Sequence, residues 1–139
     1  MIGTNKKGKT ETPAERHESP MQLARLSKAS FMSNTKWEKL FIAVKNSEIS
    51  LSDGTRKDIS CDVIRRFNLK KDGLYIFNGK HYRYSTYDIG DGGPVDYRDI
   101  EWVFVPSNND LNALKNLIDG LGLYEYDINE DGMKIYGYK

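Results

Sequence analysis

The sequence predicts an α+β fold in which a single, mostly antiparallel β-sheet carries two main helices on one face. Three observations predict it. Two segments repeat apolar residues at helical spacing, two turn dipeptides separate short runs of aromatic and β-branched residues, and one longer run alternates like a strand. The order along the chain is therefore helix, several strands, helix and a final hairpin.

The two helices are predicted from their apolar stripes and their ends. The first runs from about Thr35 to Lys45, and Thr35 and Glu38 have the spacing of a capping box. The second runs from about Asp110 to Asp119, with Gly120 placed to end it. Each helix must bury its stripe. The stripes are Trp37, Leu40, Phe41 and Val44 in the first helix, and Leu111, Leu114, Leu117 and Ile118 in the second.

A central hairpin is predicted from about Leu74 to Tyr84, because Asn78-Gly79 favours the tightest hairpin turn. A two-residue turn pairs Phe77 with Lys80, Ile76 with His81 and Tyr75 with Tyr82. One face then carries Tyr75, Phe77, Lys80, Tyr82 and Tyr84, and the other carries Leu74, Ile76, His81 and Arg83. The sequence leaves open which of the two faces is buried.

Further strands are predicted on either side of the second helix. Alternation places Ile100, Trp102 and Phe104 on one face of a strand that ends at Pro106, and Trp102 is expected in the core. At the end of the chain, Asp131-Gly132 predicts a hairpin that pairs Ile128 with Ile135 and places Tyr126 on their side. Residues 57–68 suit either a helix or a strand, with strand favoured by their β-branched residues.

The domain organisation is predicted from composition. Residues 1–32 carry six basic and three acidic side chains and few large apolar ones, so we expect a flexible basic extension with a possible short helix over 20–29. Residues 33–139 are expected to form one α+β domain. Apart from that short helix, every folded element that the pattern identifies lies in the second part.

Composition excludes several classes of protein. The net charge of +1 gives no overall field toward nucleic acid or an acidic membrane. The longest apolar run has five residues, Leu40 to Val44, whereas a membrane span needs about 20. Cys61 is the single cysteine, which fits a reducing compartment, and the amino terminus lacks the apolar part of a secretory signal. We therefore expect a cytoplasmic protein.

Each motif that could form a chemical site is better explained as a turn or a strand with no chemical role. Asp127, Asn129, Asp131 and Gly132 match half of a calcium loop, but Tyr138 stands where its last carboxylate belongs. The glycines 90, 92 and 93 read as a turn, because aspartates surround them and a strand follows. No metal, cofactor or catalytic site is predicted. The alternatives considered were a metal held by Asp96, Asp99 and Glu101, and catalysis by Cys61 or His81.

Three separated segments resemble an uncharacterised family of small bacterial proteins. They are Asn34-Thr35-Lys36-Trp37, the run Gly93-Pro94-Val95-Asp96-Tyr97-Arg98-Asp99-Ile100-Glu101-Trp102, and Gly132-Met133-Lys134-Ile135-Tyr136-Gly137-Tyr138. The likeness spans about Ser30 to Lys139. It implies a compact cytoplasmic bacterial domain and supplies no catalytic or binding residue. Small domains of this class resemble immunity proteins, an analogy of size rather than of motif.

The sequence therefore favours a non-enzymatic module that binds another protein, in the manner of an immunity-like inhibitor of a toxin. Its candidate contact residues are the aromatic face of the hairpin, Tyr75, Phe77, Lys80, Tyr82 and Tyr84, since tyrosine is enriched at interfaces. The alternative is a single-stranded nucleic-acid binder that stacks bases on the same hairpin, residues 74–84. The sequence does not indicate an oligomeric state.

Overall fold

The computed structural model describes residues 28–87 and 94–139 of the chain. The α-helices within these residues are α1 (Asn34–Asn46) and α2 (Leu111–Leu121). The strands are β1 (Thr55–Asp58), β2 (Ile64–Arg66), β3 (Ile76–Phe77), β4 (Lys80–His81), β5 (Ile100–Pro106), β6 (Tyr126–Ile128) and β7 (Gly132–Tyr136). A 3₁₀ turn, Tyr97–Asp99, leads into β5. None of the helices in the described ranges is long and apolar enough to cross a bilayer.

The sheet is antiparallel throughout, which confirms the predicted α+β class. Five strands form the main sheet in the order β2-β1-β5-β7-β6, and β3 and β4 form a separate two-stranded sheet. The ambiguous region 57–68 contributes the end of β1 and all of β2, so the strand alternative was the better one there. Both helices share one core with a single face of the main sheet. That core includes Trp37, Leu40, Phe41, Val44, Val103, Val105, Leu114, Ile118, Met133 and Ile135.

Helix α1 buries the stripe that was predicted for it, but it starts earlier. The cap is Ser33, whose hydroxyl accepts a hydrogen bond from the Lys36 amide at 3.1 Å. Thr35 lies inside the helix, so the capping box predicted for Thr35 and Glu38 is wrong. Both residues precede the apolar stripe with suitable chemistry, and the sequence pattern does not distinguish them.

Ser33→Ala is expected to lower the free energy of unfolding by about 1 kcal/mol, because the Lys36 amide loses its acceptor. Thr35→Ala is the matched control: Thr35 is exposed within the helix, where alanine is the better helix former, so the free energy should stay level or rise slightly. Urea unfolding of both variants measures the difference. A larger loss in Thr35→Ala than in Ser33→Ala would contradict the cap assignment.

Helix α2 is capped by Asp110, whose carboxylate accepts from the Ala113 amide at 3.0 Å. The helix continues through Gly120 to Leu121 and ends at Gly122, where φ is +145°. Gly120 is therefore not the cap that was predicted. The glycine with positive φ that ends the helix lies two residues after Gly120, because α2 extends beyond the apolar stripe from which its end was predicted.

Strand β5 contains an irregularity that reverses the expected faces. Lys57 in β1 is paired with Trp102, but Asp58 is paired with Ile100, so Glu101 is an extra residue in β5. This bulge interrupts the alternation. As a result Ile100 and Val103 are both buried, while Trp102 is only partly buried on the opposite face. The expectation that Trp102 lies in the core is wrong for this reason.

The final hairpin is confirmed, but its register differs from the prediction by two residues. Ile128 is paired with Met133, and Tyr126 is paired with Ile135. The Asn129 side-chain carbonyl accepts from the Asp131 amide at 2.8 Å and the Gly132 amide at 3.3 Å. The turn is therefore centred one residue before Asp131-Gly132. A shift of two preserves the faces, so Tyr126 and the two isoleucines lie on one side as expected.

Residues 29–31, near the start of the described part, pair with the C-terminal residues 137–139. Ala29 and Lys139 exchange backbone hydrogen bonds of 3.3 and 3.0 Å, and the Phe31 amide donates to the Gly137 carbonyl at 2.9 Å. These contacts add residues 29–31 to the body. Residues 20–27, which hold most of the predicted short helix, lie outside the described residues.

Candidate functional site

The central hairpin has the register that its Asn-Gly turn predicts. Ile76 is paired with His81 and Phe77 with Lys80, and the Tyr82 amide donates to the Tyr75 carbonyl at 2.8 Å. Asn78 and Gly79 have φ values of +52° and +76°, as a type I′ turn requires. The turn at Asn78-Gly79 therefore determines the pairing register of the two strands that carry the candidate site.

Aromatic rings cluster on one face of this hairpin without being covered. The half-buried Tyr75 ring lies 5.0 Å from Tyr82, 5.9 Å from Tyr87 and 6.4 Å from Phe77, measured between ring centroids. The exposed fractions are 52% for Phe77, 42% for Tyr87 and 37% for Tyr82. The Lys80 ammonium lies 5.0 Å from the centroid of the Tyr82 ring. We call Tyr75, Phe77, Lys80, Tyr82 and Tyr87 the hairpin patch.

The opposite face of the two strands is exposed as well. Ile76 keeps 49% of its surface in contact with solvent, and His81 is also exposed. The sequence left open which face of the hairpin is buried. In the structure, neither face of the two strands is buried. Among residues 28–87 and 94–139, the hairpin projects from the domain and is packed against it only at its base.

Tyr84 lies apart from the hairpin patch, although the alternation placed it on the same face. Its φ of +63° takes it out of the strand geometry, and its half-buried ring lies 6.1 Å from Tyr97 in an edge contact. The Arg83 guanidinium lies 4.7 Å from the Tyr84 ring and donates to the Glu38 carboxylate at 3.2 Å. Tyr84 is thus part of the base that joins the hairpin to α1.

Further bonds hold the base on both sides. The Tyr97 hydroxyl donates to the Gly73 carbonyl at 2.5 Å, and burial of this phenol raises its pKa well above the usual range. The Tyr87 amide donates to the Asp72 carbonyl at 2.7 Å. Burial raises the pKa of the Asp72 carboxyl, which accepts from the Asn68 amide at 2.7 Å. The patch is therefore an exposed surface on a firmly held support.

No family model, curated protein or solved structure matches this chain. The resemblance to a family of small bacterial proteins accordingly stays a prediction.

Of the other candidate residues in the described part of the chain, Asn129 and Glu101 make structural contacts. Asn129 holds the turn of the final hairpin, as a tight turn predicts. Glu101 accepts from Lys57 at 2.7 Å and lies 3.8 Å from the Lys28 ammonium. Cys61 is a half-buried free thiol. Within residues 28–87 and 94–139, no three His, Cys, Asp or Glu side chains are grouped to hold a metal ion. Asp88, Asp91 and the glycines 90, 92 and 93 lie outside the described residues.

Sequence reasoning missed a second surface, which lies on the face of the main sheet opposite the helices. Trp102, Phe104 and Tyr136 line a groove there. One signal was present: the run Trp102-Val103-Phe104-Val105 is apolar at every position, so both faces of β5 are apolar. Since α1 and α2 pack on only one face, the other apolar face had to be either covered by a further element or exposed.

Proposed function

We propose that the protein is a non-enzymatic module that binds another protein through the hairpin patch. One observation carries the proposal: aromatic rings contact one another on a projecting hairpin, and three of them, Phe77, Tyr82 and Tyr87, are exposed. Exposed aromatic clusters mark interaction sites, because tyrosine and phenylalanine provide much contact area and their polar or planar edges orient a partner.

The contacts between the rings also reduce the side-chain conformational entropy that would be lost on binding. Tyr75 contacts three other rings of the patch, so these side chains already have restricted rotamers before any partner arrives. Ordering a free side chain at an interface costs about 0.5–1.5 kcal/mol, and a pre-ordered patch avoids part of that cost. The base of the hairpin, held by Arg83 and Glu38, adds rigidity to the support.

The charge of the patch indicates which surface it fits. Lys80 places a cation beside the Tyr82 ring, while the nearby Arg83 is engaged by Glu38. A partner surface with an apolar centre and a carboxylate near its edge would complement this arrangement. The finer form of the proposal is an immunity-like role in the bacterial cytoplasm, in which the partner is a toxin; its support is the size and class of the domain.

The test is capture of partners from the lysate of the protein's own host, with and without nuclease, by the full chain and two variants. Phe77→Ser/Tyr82→Ser removes two exposed rings, and Leu123→Ser changes an apolar residue that is 91% exposed elsewhere. A protein partner should be captured in stoichiometric amount whether or not nuclease is present. It should bind Leu123→Ser as tightly as the unchanged chain. It should bind the double variant at least about 30-fold more weakly, as expected when hot-spot rings are lost. Equal capture by all three proteins would contradict the proposal.

The nucleic-acid alternative is favoured by one feature, the ammonium of Lys80 beside a stack of rings, which is the composition of a base-stacking platform. In that case the captured material is nucleic acid that nuclease removes. Its affinity should fall steeply as salt rises, and it should be lost in Tyr82→Ala. This outcome would replace the protein-binding proposal.

A further inference from the structure

Among the described residues, the face of the main sheet opposite the helices carries a groove of about 540 Å³. Its apolar floor comes from Ile64, Trp102, Phe104 and Tyr136, and carboxylates stand around it at Asp53, Asp127 and Asp131. The bulge at Glu101 creates this floor, because it directs Val103 into the core and leaves Trp102 and Phe104 on the opposite side.

The groove is acidic although the whole chain is close to neutral. Its lining carries three carboxylates and the ammonium of Lys134, and the Lys139 ammonium lies beside it, so three negative and two positive side chains leave a net charge of −1. Asp127 accepts from the Tyr136 hydroxyl at 3.0 Å and lies 3.6 Å from the Lys139 ammonium. The Asp53 carboxylate accepts from the Asn108 amide at 3.2 Å. A complementary ligand would therefore be positively charged.

The aromatic rings of the groove already receive cations from the chain itself. The Lys134 ammonium lies 4.6 Å from the centroid of the Trp102 ring, and the Lys139 ammonium lies 4.8 Å from that of Tyr136. Ring faces attract ammonium and guanidinium groups, and neighbouring carboxylates strengthen the attraction. The rings and the carboxylates therefore both attract cationic side chains, and a ligand cation at either ring would displace the ammonium of Lys134 or Lys139.

The extent of the groove indicates a chain rather than a small cation. It reaches from Ile64 in β2 across β1, β5 and β7 to Asp127 in β6. Four strand spacings of about 4.8 Å give roughly 19 Å, the length of five or six extended residues. We propose that the groove binds an extended basic peptide segment of another protein, with lysine or arginine side chains against the rings and carboxylates.

This surface is distinct from the hairpin patch, and the inference does not depend on the proposed function. The groove is acidic and concave, whereas the hairpin patch is exposed on a projecting element and carries Lys80. A variant that removes the rings of the patch should leave the groove intact. The two proposals can therefore fail separately.

The experiment is a titration of the isotope-labelled full chain with hexalysine, followed by backbone amide and indole resonances. Shifts are expected at the Trp102 indole and at Lys134 and Tyr136, and they should diminish at high salt. Asp127→Asn/Asp131→Asn should weaken binding at least about tenfold, since two of the three carboxylates are lost. Asp62→Asn, an exposed aspartate outside the groove lining, and hexaglutamate are the controls.

The remaining outcomes overturn the proposal. Shifts elsewhere in the chain, or equal affinity in the Asp127→Asn/Asp131→Asn variant, would show that the groove is not the binding surface. If that variant changes the resonances of Lys6, Lys7 and Lys9 without added peptide, the occupant is the chain's own basic stretch rather than a partner. Phe77→Ser/Tyr82→Ser should bind hexalysine like the unchanged protein, which separates this test from that of the hairpin patch.

Discussion

Arg56→Met is expected to lower the free energy of unfolding by about 3–5 kcal/mol, because it leaves a buried carboxylate without its partner. Arg56 is 1% exposed, and its guanidinium donates to the two oxygens of Asp58 at 2.9 and 3.2 Å. A third bond reaches the Thr86 hydroxyl at 3.3 Å, and the Phe67 ring lies 5.4 Å away. Methionine fills part of the space but donates no hydrogen bond, so Asp58 would be both desolvated and unpaired.

Two comparisons make this prediction specific. Lys57→Met changes the neighbouring cation, which pairs with Glu101 at 2.7 Å on a partly exposed surface, and should cost at most about 1 kcal/mol. Arg56→Met/Asp58→Leu removes both charges and should recover most of the loss, since a buried ion pair is often replaceable by apolar residues. Urea unfolding measures all three variants. A loss below about 1 kcal/mol in Arg56→Met, which is typical of an exposed ion pair, would contradict the burial of the Arg56–Asp58 pair.

The apolar stripe of α1 and the turn of the central hairpin could be predicted because their signals are local. The stripe of α1 and the Asn78-Gly79 turn depend on residues a few positions apart, and both were found where expected. The buried Arg56 shows the limit of such signals, since the pattern treats an arginine as exposed. Its burial depends on Asp58, two residues away, and on Thr86, thirty residues away.

The faces of β5 could not be predicted from its own residues, because they depend on its pairing with a distant strand. Alternation along the strand predicts Trp102 on the same face as Ile100. The pairing of β1 with β5 makes Glu101 an extra residue between them, so Trp102 lies on the opposite face. That bulge arises between segments about 45 residues apart, and the sequence carries no turn or breaker to mark it. The groove on the open face was missed for the same reason.

The candidate site was predicted in part. Tyr75, Phe77, Lys80 and Tyr82 lie together because strand alternation holds across the tight turn. Tyr84 leaves the cluster because its backbone turns at the end of the hairpin, which alternation does not reveal. The same turn returns the chain toward Tyr75, so that Tyr87 joins the patch from outside the predicted hairpin.

Gly73→Ala is expected to lower the free energy of unfolding by about 3 kcal/mol through a clash in the core. A Cβ atom at this position would lie 2.3 Å from two atoms of the Phe41 ring and 2.8 Å from the Phe41 Cβ. The ring has little room to move, because its centroid lies 5.4 Å from Trp37, 6.0 Å from Phe67 and 5.0 Å from Tyr97. The backbone must therefore shift where the chain enters the hairpin.

That shift connects the core to the proposed binding surface. The Gly73 carbonyl accepts from the Tyr97 hydroxyl, and displacement of this carbonyl would loosen the base of the hairpin. Gly120→Ala is the matched control: nothing lies within 4 Å of its Cβ position in α2, so alanine should raise the stability by up to about 1 kcal/mol. Thermal unfolding separates the two variants. A melting temperature of Gly73→Ala equal to that of the unchanged chain would show that the Phe41 ring can move aside, which would contradict the clash.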